Sequence, residues 1–91
     1  MFAYGQRVKA ISPPDGNTEL VGKTGTIIRS CSPGPYGCGW VGVDFDECFH
    51  DGHIIVDDFG FYKAEESGWN CPIDSLKAIA DCSPVGIEDF I

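Results

Sequence analysis

Short apolar segments separated by glycine- and proline-rich turns restrict the fold of this chain more than any other feature. The 91 residues include 12 glycines and 6 prolines, and several of these lie in two dense clusters, residues 12–17 and 30–37. Glycine and proline are unfavourable inside helices, and apolar residues at the helical spacing of three and four are nearly absent. The sequence therefore predicts an all-β protein.

The apolar segments predict five to six short antiparallel strands. The candidates are residues 7–11, 24–29, 39–45, 54–56, 59–62 and 77–80. The third is the clearest, because Val41, Val43 and Phe45 lie on one face of a strand and are expected in the core. Phe59 or Phe61 is expected to fill the core as well.

We expect these strands to form a single small SH3-like barrel with one short helical turn, at residues 72–76. A chain of 91 residues buries one modest core and is too short for a two-domain enzyme. Open strand edges invite aggregation, which favours a closed or nearly closed barrel. The expected barrel comprises residues 1–82. Residues 83–91 form an acidic and apolar C-terminal tail that could add an edge strand, dock on a partner or form a dimer contact.

Several phrases of the sequence resemble SH3-like barrels of the KOW and Mind-bomb type, and small barrel proteins encoded by bacteriophages. The phrases are GQRVKAI (5–11), VGKTGTII (21–28), WVGVDFD (40–46), GW (68–69) and PIDSLK (72–77). The resemblance implies a barrel fold and a binding role, with relatives that bind proteins or RNA. KOW relatives that hold RNA usually rely on basic loops, and this chain departs from them through its acidic middle third.

Charge argues against direct binding of nucleic acid. Fourteen acidic and six basic residues give a net charge of −8, whereas affinity for phosphate comes mainly from Lys and Arg. Eight of the acids lie between residues 44 and 66: Asp44, Asp46, Glu47, Asp51, Asp57, Asp58, Glu65 and Glu66. We expect an acidic face, which serves either partner contact or solubility alone.

Aromatic residues beside these acids are candidate contact anchors, because Trp and Tyr contribute much of the energy of protein interfaces. Trp40 shares the outward face of its strand with Asp44, and Tyr36 and Trp69 are expected near it. In the alternative, Trp40 packs under a long loop or the N-terminal Phe2 and Tyr4. The predicted binding residues are Tyr36, Trp40, Asp44, Asp46, Glu47, Asp51, Asp57, Asp58 and Trp69.

Cys48, His50 and His53 are weak candidates for a zinc site. They lie within six residues, and Cys31, Cys38, Cys71 or Cys82 could complete a tetrahedral set. However, Cys31 and Cys38 are farther apart than structural zinc sites prefer, so free thiols are favoured and no cofactor is expected. An odd number of cysteines, no secretion signal and no long apolar segment predict a cytoplasmic protein that does not enter a membrane.

The favoured function is a non-catalytic protein-binding module with an acidic, aromatic surface. Paired acids such as Asp57 and Asp58 are adjacent in sequence, so on a strand they point to opposite faces and do not form an acid–base couple. One alternative is a phage-encoded inhibitor that mimics nucleic acid and occupies the basic groove of a host nuclease, CRISPR effector or polymerase. A second alternative is a small domain stabilised by zinc.

Overall fold

The computed structural model describes residues 2–30 and 39–79, which form one six-stranded antiparallel sheet. The strands are β1 (Arg7–Ala10), β2 (Thr24–Arg29), β3 (Trp40–Phe45), β4 (His53–Val56), β5 (Tyr62–Pro72) and β6 (Leu76–Ala78). Their order across the sheet is β4-β5-β3-β2-β1-β6. The all-β prediction and the upper strand count are confirmed for these residues.

The sheet is open, so the closed barrel is not confirmed. β4 and β6 lie at the two edges, and no pairing joins them within residues 2–30 and 39–79. These edge strands have only four and three residues. Short edges limit the row of unpaired backbone groups that could recruit another chain. Short edge strands therefore limit edge-to-edge pairing without a closed barrel, and the sequence argument for a barrel did not consider this.

The main core lies on one face of the sheet. Alternate residues of the strands supply it together with Leu20, and its buried members are Val8, Ala10, Leu20, Ile27, Val41, Val43, Phe45, Cys71 and Leu76. The predicted alternation along β3 is confirmed for Val41, Val43 and Phe45. Full burial of an aliphatic side chain stabilises a fold by about 1.5–3 kcal/mol, so this cluster is the main source of stability.

The opposite face of β3 is also covered, close to Gly42. A Cβ atom at Gly42 would lie 2.9 Å from Ile55 Cδ1 and 3.0 Å from the Arg29 Cβ. Arg29 donates from Nη2 to Asn70 Oδ1 and from Nη1 to the Val56 carbonyl over 3.4 Å. The glycine therefore provides space for the Ile55 side chain, which extends from β4 over β3, and a larger residue there would displace it.

The sequence prediction was wrong about the segment from 59 to 72. The predicted strand at residues 59–62 is mostly a turn, and β5 then runs unbroken for 11 residues to Pro72. Its register against β4 shifts between His53 and Ile55, where Ala64 has a φ of 67°. The polar run KAEES at 63–67 has little β propensity, so only pairing with neighbouring strands identifies it as part of β5.

Three 3-10 turns complete the described part of the chain. They are Pro14–Gly16, Thr18–Leu20 and Ile73–Ser75. The last confirms the helical turn predicted before the final strand, whereas the first two were not predicted. Among the residues described, no helix is long and apolar enough to span a membrane.

Candidate functional site

The turn between β4 and β5 is built around the side chain of Asp57. Its Oδ1 accepts hydrogen bonds from the backbone N–H of Phe59 over 2.8 Å and of Phe61 over 2.9 Å. Its own N–H donates to the Phe61 carbonyl over 2.9 Å, and Gly60 supplies the positive φ of 88° that closes the reversal. An Asp that bonds the backbone two residues later is a common turn device. The local sequence Asp-Asp-Phe-Gly thus fixes the turn.

Asp57 is buried, so the prediction that it contacts a partner at the surface is wrong. Burial by itself raises the pKa of this carboxyl, but the N–H groups of Phe61 and Phe59 and the nearby Lys63 ammonium outweigh it and hold the pKa below its ordinary value. Lys63 Nζ lies 3.7 Å from Oδ2, which has no hydrogen-bond partner among the described residues. Asp57 is therefore ionised at neutral pH and is a structural residue of the turn.

The turn exposes a group of aromatic rings. Phe59 is 68% exposed, Phe61 63%, Tyr62 77% and Tyr4 42%. The Tyr4 and Phe59 rings meet edge to face, with centroids 5.0 Å apart. We call Tyr4, Phe59, Phe61 and Tyr62 the aromatic turn surface, in which Phe61 and Tyr62 are adjacent and so point in different directions at the start of β5. The expectation that Phe59 or Phe61 fills the core is wrong, because the turn directs both rings outward.

Asp58 fastens the aromatic turn surface to β2. Its N–H donates to the Ile28 carbonyl over 2.9 Å, and its carboxylate accepts from the N–H and Oγ of Ser30 over 2.9 to 3.1 Å. Ile28 is the extra residue at the irregularity of β2, where the register against β3 shifts. The Asp58 carboxylate, predicted to bind a partner, is thus engaged within the protein while its residue stays exposed.

Two predicted acidic residues lie at the end of β3, and both have internal partners. Asp44 accepts a hydrogen bond from Ser67 Oγ over 2.6 Å. Asp46 forms a two-pronged ion pair with Arg7, with distances of 2.6 and 2.7 Å, and accepts from Thr24 Oγ1 over 2.6 Å. The hydrogen bonds from Arg7 are the main reason that the pKa of Asp46 is lowered, although partial burial opposes them.

The remaining predicted acids lie in the loop between β3 and β4. Glu47 pairs with Lys23 Nζ over 3.0 Å, and Asp51 lies 3.8 Å from the His50 ring. This loop and the aromatic turn are at opposite ends of the four-residue strand β4, about 13 Å apart at the usual rise per residue. The acidic residues therefore form two groups rather than one continuous face.

The tryptophans lie on opposite faces of the sheet. Register pairs Trp69 with Val43 on the core face, whereas Trp40 pairs with Pro72 on the other face and is half-buried. Trp69 Nε1–H donates to the Pro14 carbonyl over 3.0 Å. The expectation that both indoles lie on one surface is therefore wrong, because Trp69 shares the face of its partner Val43, whereas Trp40 lies three residues before Val43 and so on the other face. Tyr36 lies outside the described residues.

Cys48, His50 and His53 do not converge on a metal site. All three are exposed, and the His53 ring packs 5.4 Å from Trp69. Within residues 2–30 and 39–79, no three His, Cys, Asp or Glu side chains are close enough to hold a metal ion. Other proposed ligands lie outside the described residues: Cys31, Cys38 and Cys82. Cys71 is buried, which raises its thiol pKa, with a smaller contribution from the charge of Asp15.

A cleft of about 490 Å³ lies between residues 19–24 and residues 45–49. Cys48 lines it, and the paired Lys23 and Glu47 stand at its wall. No histidine is among the described residues that line it, so it lacks the thiol–imidazole pair used in nucleophilic catalysis. This cleft is a weaker candidate site than the aromatic turn surface.

Sequence reasoning missed the aromatic turn surface although a signal was present. Phe61 and Tyr62 are adjacent, and adjacent residues of a strand point to opposite faces, so a single core could not bury both. Comparison of the chain with protein-family models, curated proteins and solved structures gives no match.

Proposed function

We propose that this protein is a non-catalytic protein-binding module that contacts its partner through the aromatic turn surface. The observation that carries the proposal is the exposure of four aromatic side chains at or beside one turn, at 42–77% each, with the Tyr4 and Phe59 rings in contact. A fully exposed aromatic side chain offers about 150–250 Å², so the four rings leave roughly 500 Å² of apolar area open. Contiguous apolar patches of this size are often functional, and the contact between Tyr4 and Phe59 is the contiguous part that the structure shows.

The way the turn is held supports a binding role. Asp57 bonds the backbone N–H groups of Phe59 and Phe61, and Asp58 ties the turn to Ser30, directly after β2. A surface that is already ordered loses little conformational freedom when a partner docks, so more of the contact energy appears as affinity. Aromatic rings also lose few rotamers on binding, which makes them effective anchors.

The acidic surface has a smaller part in this proposal than the sequence suggested. Asp57 is buried, and Asp46 and Glu47 are paired with Arg7 and Lys23. Mimicry of nucleic acid needs a continuous run of unpaired negative charge, so these pairings favour the general binding module over that alternative. The zinc-stabilised alternative has no supporting geometry among the residues described.

We also propose that the sheet is a partly open relative of the SH3-like barrel. The 3-10 turn Ile73–Ser75 leads directly into β6, which returns to pair with β1. That arrangement brings the two ends of the described chain side by side, as the resemblance of residues 5–11 and 72–77 implies.

The test is affinity capture from the native source with three forms of the tagged protein. The first is unchanged, the second carries Phe59→Ser, Phe61→Ser and Tyr62→Ser, and the third carries Ile11→Ser and Val21→Ser. Ile11 and Val21 are 53% and 44% exposed and lie outside the aromatic turn surface, so the third form controls for loss of exposed apolar area.

We expect a partner that the unchanged and control forms retain in equal amounts and that the aromatic variant loses. Circular dichroism must show that all three forms are folded. Retention of the same proteins in the same amounts by all three forms would refute the proposed function.

A further inference from the structure

We infer that the C-terminal tail, residues 83–91, folds back onto the aromatic turn surface and shields it until a partner displaces it. The large apolar residues of the tail are Val85, Ile87, Phe90 and Ile91, and the tail lies outside the described residues. This inference rests on the proposed function, because it concerns the regulation of the same surface. It follows from the direction in which the chain leaves β6, the length that follows and the composition of that length.

The last described strand directs the chain toward the rings. β6 runs antiparallel to β1, and the Ile79 N–H donates to the Arg7 carbonyl over 3.0 Å. A chain that continues in this direction passes the residues that precede β1 and comes to Tyr4. The Tyr4 ring in turn contacts that of Phe59, with centroids 5.0 Å apart. The tail therefore starts on the side of the sheet edge that leads to the aromatic turn surface.

The chain after Ile79 is long enough to reach the rings. Tyr4 is three residues from Arg7, so their Cα atoms are within about 11 Å of each other, and the neighbouring strand adds roughly 5 Å. Residues 80–84 span up to about 17 Å when extended, which brings Val85 to the aromatic turn surface. A segment tethered this closely acts at an effective concentration of about 1 mM, so even a contact with a Kd of about 1 mM is half occupied.

The tail suits an apolar surface, and its charge does not supply the attraction. Its aliphatic and aromatic side chains lose contact with water when they pack on exposed rings. Glu88 and Asp89 are acidic, and the exposed Asp58 directly precedes Phe59. Like charges oppose the contact, so its apolar side chains must hold it. Added salt screens this repulsion and should strengthen the contact.

Two other occupants are less favoured. Residues 31–38 follow Ser30, which bonds Asp58, but Tyr36 is their single large aromatic or aliphatic side chain. A second copy of the chain would meet the rings at the concentration of the protein in solution, whereas the tail is held beside them at about 1 mM. The tether therefore favours the tail of the same chain.

The first experiment detects the contact in the full chain by nuclear magnetic resonance. Methyl groups of Ile87 and Ile91 should give nuclear Overhauser effects to the rings of Tyr4 and Phe59. In a mixture of isotope-labelled and unlabelled protein, these effects should arise within one molecule and not between molecules. They should become stronger when salt is added.

Two variants of the full chain test what holds the tail. The apolar variant carries Ile87→Ser, Phe90→Ser and Ile91→Ser, and the matched charge variant carries Glu88→Gln and Asp89→Asn. The probe is anilinonaphthalene sulfonate, a dye that binds exposed apolar surface, used in high salt so that the lost charges do not affect it. The apolar variant should bind the dye about two- to tenfold more tightly than the unchanged chain, because the uncovered fraction of the rings sets the apparent affinity. The charge variant should bind it no more tightly.

The dye must be shown to report on the rings. Adding Phe59→Ser and Phe61→Ser to the apolar variant should abolish its gain in dye affinity. A gain that persists, or equal dye affinity of the apolar variant and the unchanged chain, would overturn the inference. So would the absence of Overhauser effects between tail and rings, or ring contacts that come from residues 31–38 or from a second copy.

The capture experiment separates failure of this inference from failure of the proposed function. With the tail as a shield, the apolar variant should retain more of the partner than the unchanged protein. Equal retention by these two forms, with loss in the aromatic variant, would leave the binding role in place and overturn the shield. Tail contacts that persist while capture is indifferent to the aromatic substitutions would refute the binding role alone.

Discussion

Replacing Phe by Ala at positions 45, 59 and 61 removes the same atoms from three different environments. Phe45 is 3% exposed and its ring lies 5.8 Å from that of Phe49, whereas Phe59 and Phe61 are 68% and 63% exposed. A buried Phe→Ala substitution costs about 3–5 kcal/mol of unfolding free energy. Phe61 has only about one third of the burial of a core Phe, so replacing it by Ala should lower the free energy of unfolding by about 1–1.7 kcal/mol.

Phe59 should fall slightly above Phe61, because its edge-to-face contact with Tyr4 adds about 0.5–1.5 kcal/mol. The assay is urea unfolding followed by tryptophan fluorescence. With a urea dependence of about 1–3 kcal/mol per molar, Phe45→Ala should lower the midpoint by roughly 2 M and Phe61→Ala by roughly 0.5 M. If Phe45→Ala is already unfolded without urea, the three Phe→Leu variants can be compared instead. Their losses of stability should follow the same order as those of the Ala variants.

Equal destabilisation at positions 45 and 61 would refute the reasoning. It would mean that Phe61 fills a core, as the sequence alone suggests, and that the aromatic turn surface does not exist. The same result would remove the basis of the proposed function, so this comparison of stabilities is a direct check on the binding site before any partner is known.

Two further predictions concern ionisable groups. The pKa values of Asp46 and Asp57 are lowered on folding, so their charges stabilise the fold fully above the unfolded value, and this contribution is lost as pH falls through the lowered folded values. Urea unfolding between about pH 5 and pH 3 should therefore show a larger loss of stability for the unchanged protein than for Asp57→Asn; equal losses would contradict this prediction. In native maleimide labelling with peptide mapping, exposed Cys48 should react readily, and Cys71 should be protected because it is buried and its thiol pKa is raised. Labelling of both at the same rate would show that Cys71 is accessible.

Much of the sheet could be predicted because its signals are local. In β3, Val41, Val43 and Phe45 alternate with smaller or polar residues, and that alternation both marks a strand and identifies its buried face. The proline and glycine clusters mark where strands end, and Pro72 marks the start of the last 3-10 turn. These features depend on neighbours within a few residues, so the sequence carries them directly.

The candidate site could be predicted only in part. The sequence predicted a contact surface of aromatic and acidic residues, most of them in its middle third, but it assigned Phe59 or Phe61 to the core and Asp57 to the surface. Both assignments are wrong because residues 57–61 form a turn and not a strand. The signal for that turn is the spacing of Asp57 and Gly60, which outweighs the apolar character of the residues between and after them.

The sequence by itself determined the β class, the buried face of β3 and the excess of negative charge. Tertiary structure alone decided that the sheet stays open, that the acids divide between the two ends of β4, and that Trp40 and Trp69 face opposite sides. The physical reason is that burial and charge pairing depend on which distant segments meet. Arg7 reaches Asp46 across 39 positions and Trp69 reaches Pro14 across 55, and no local pattern specifies such partners.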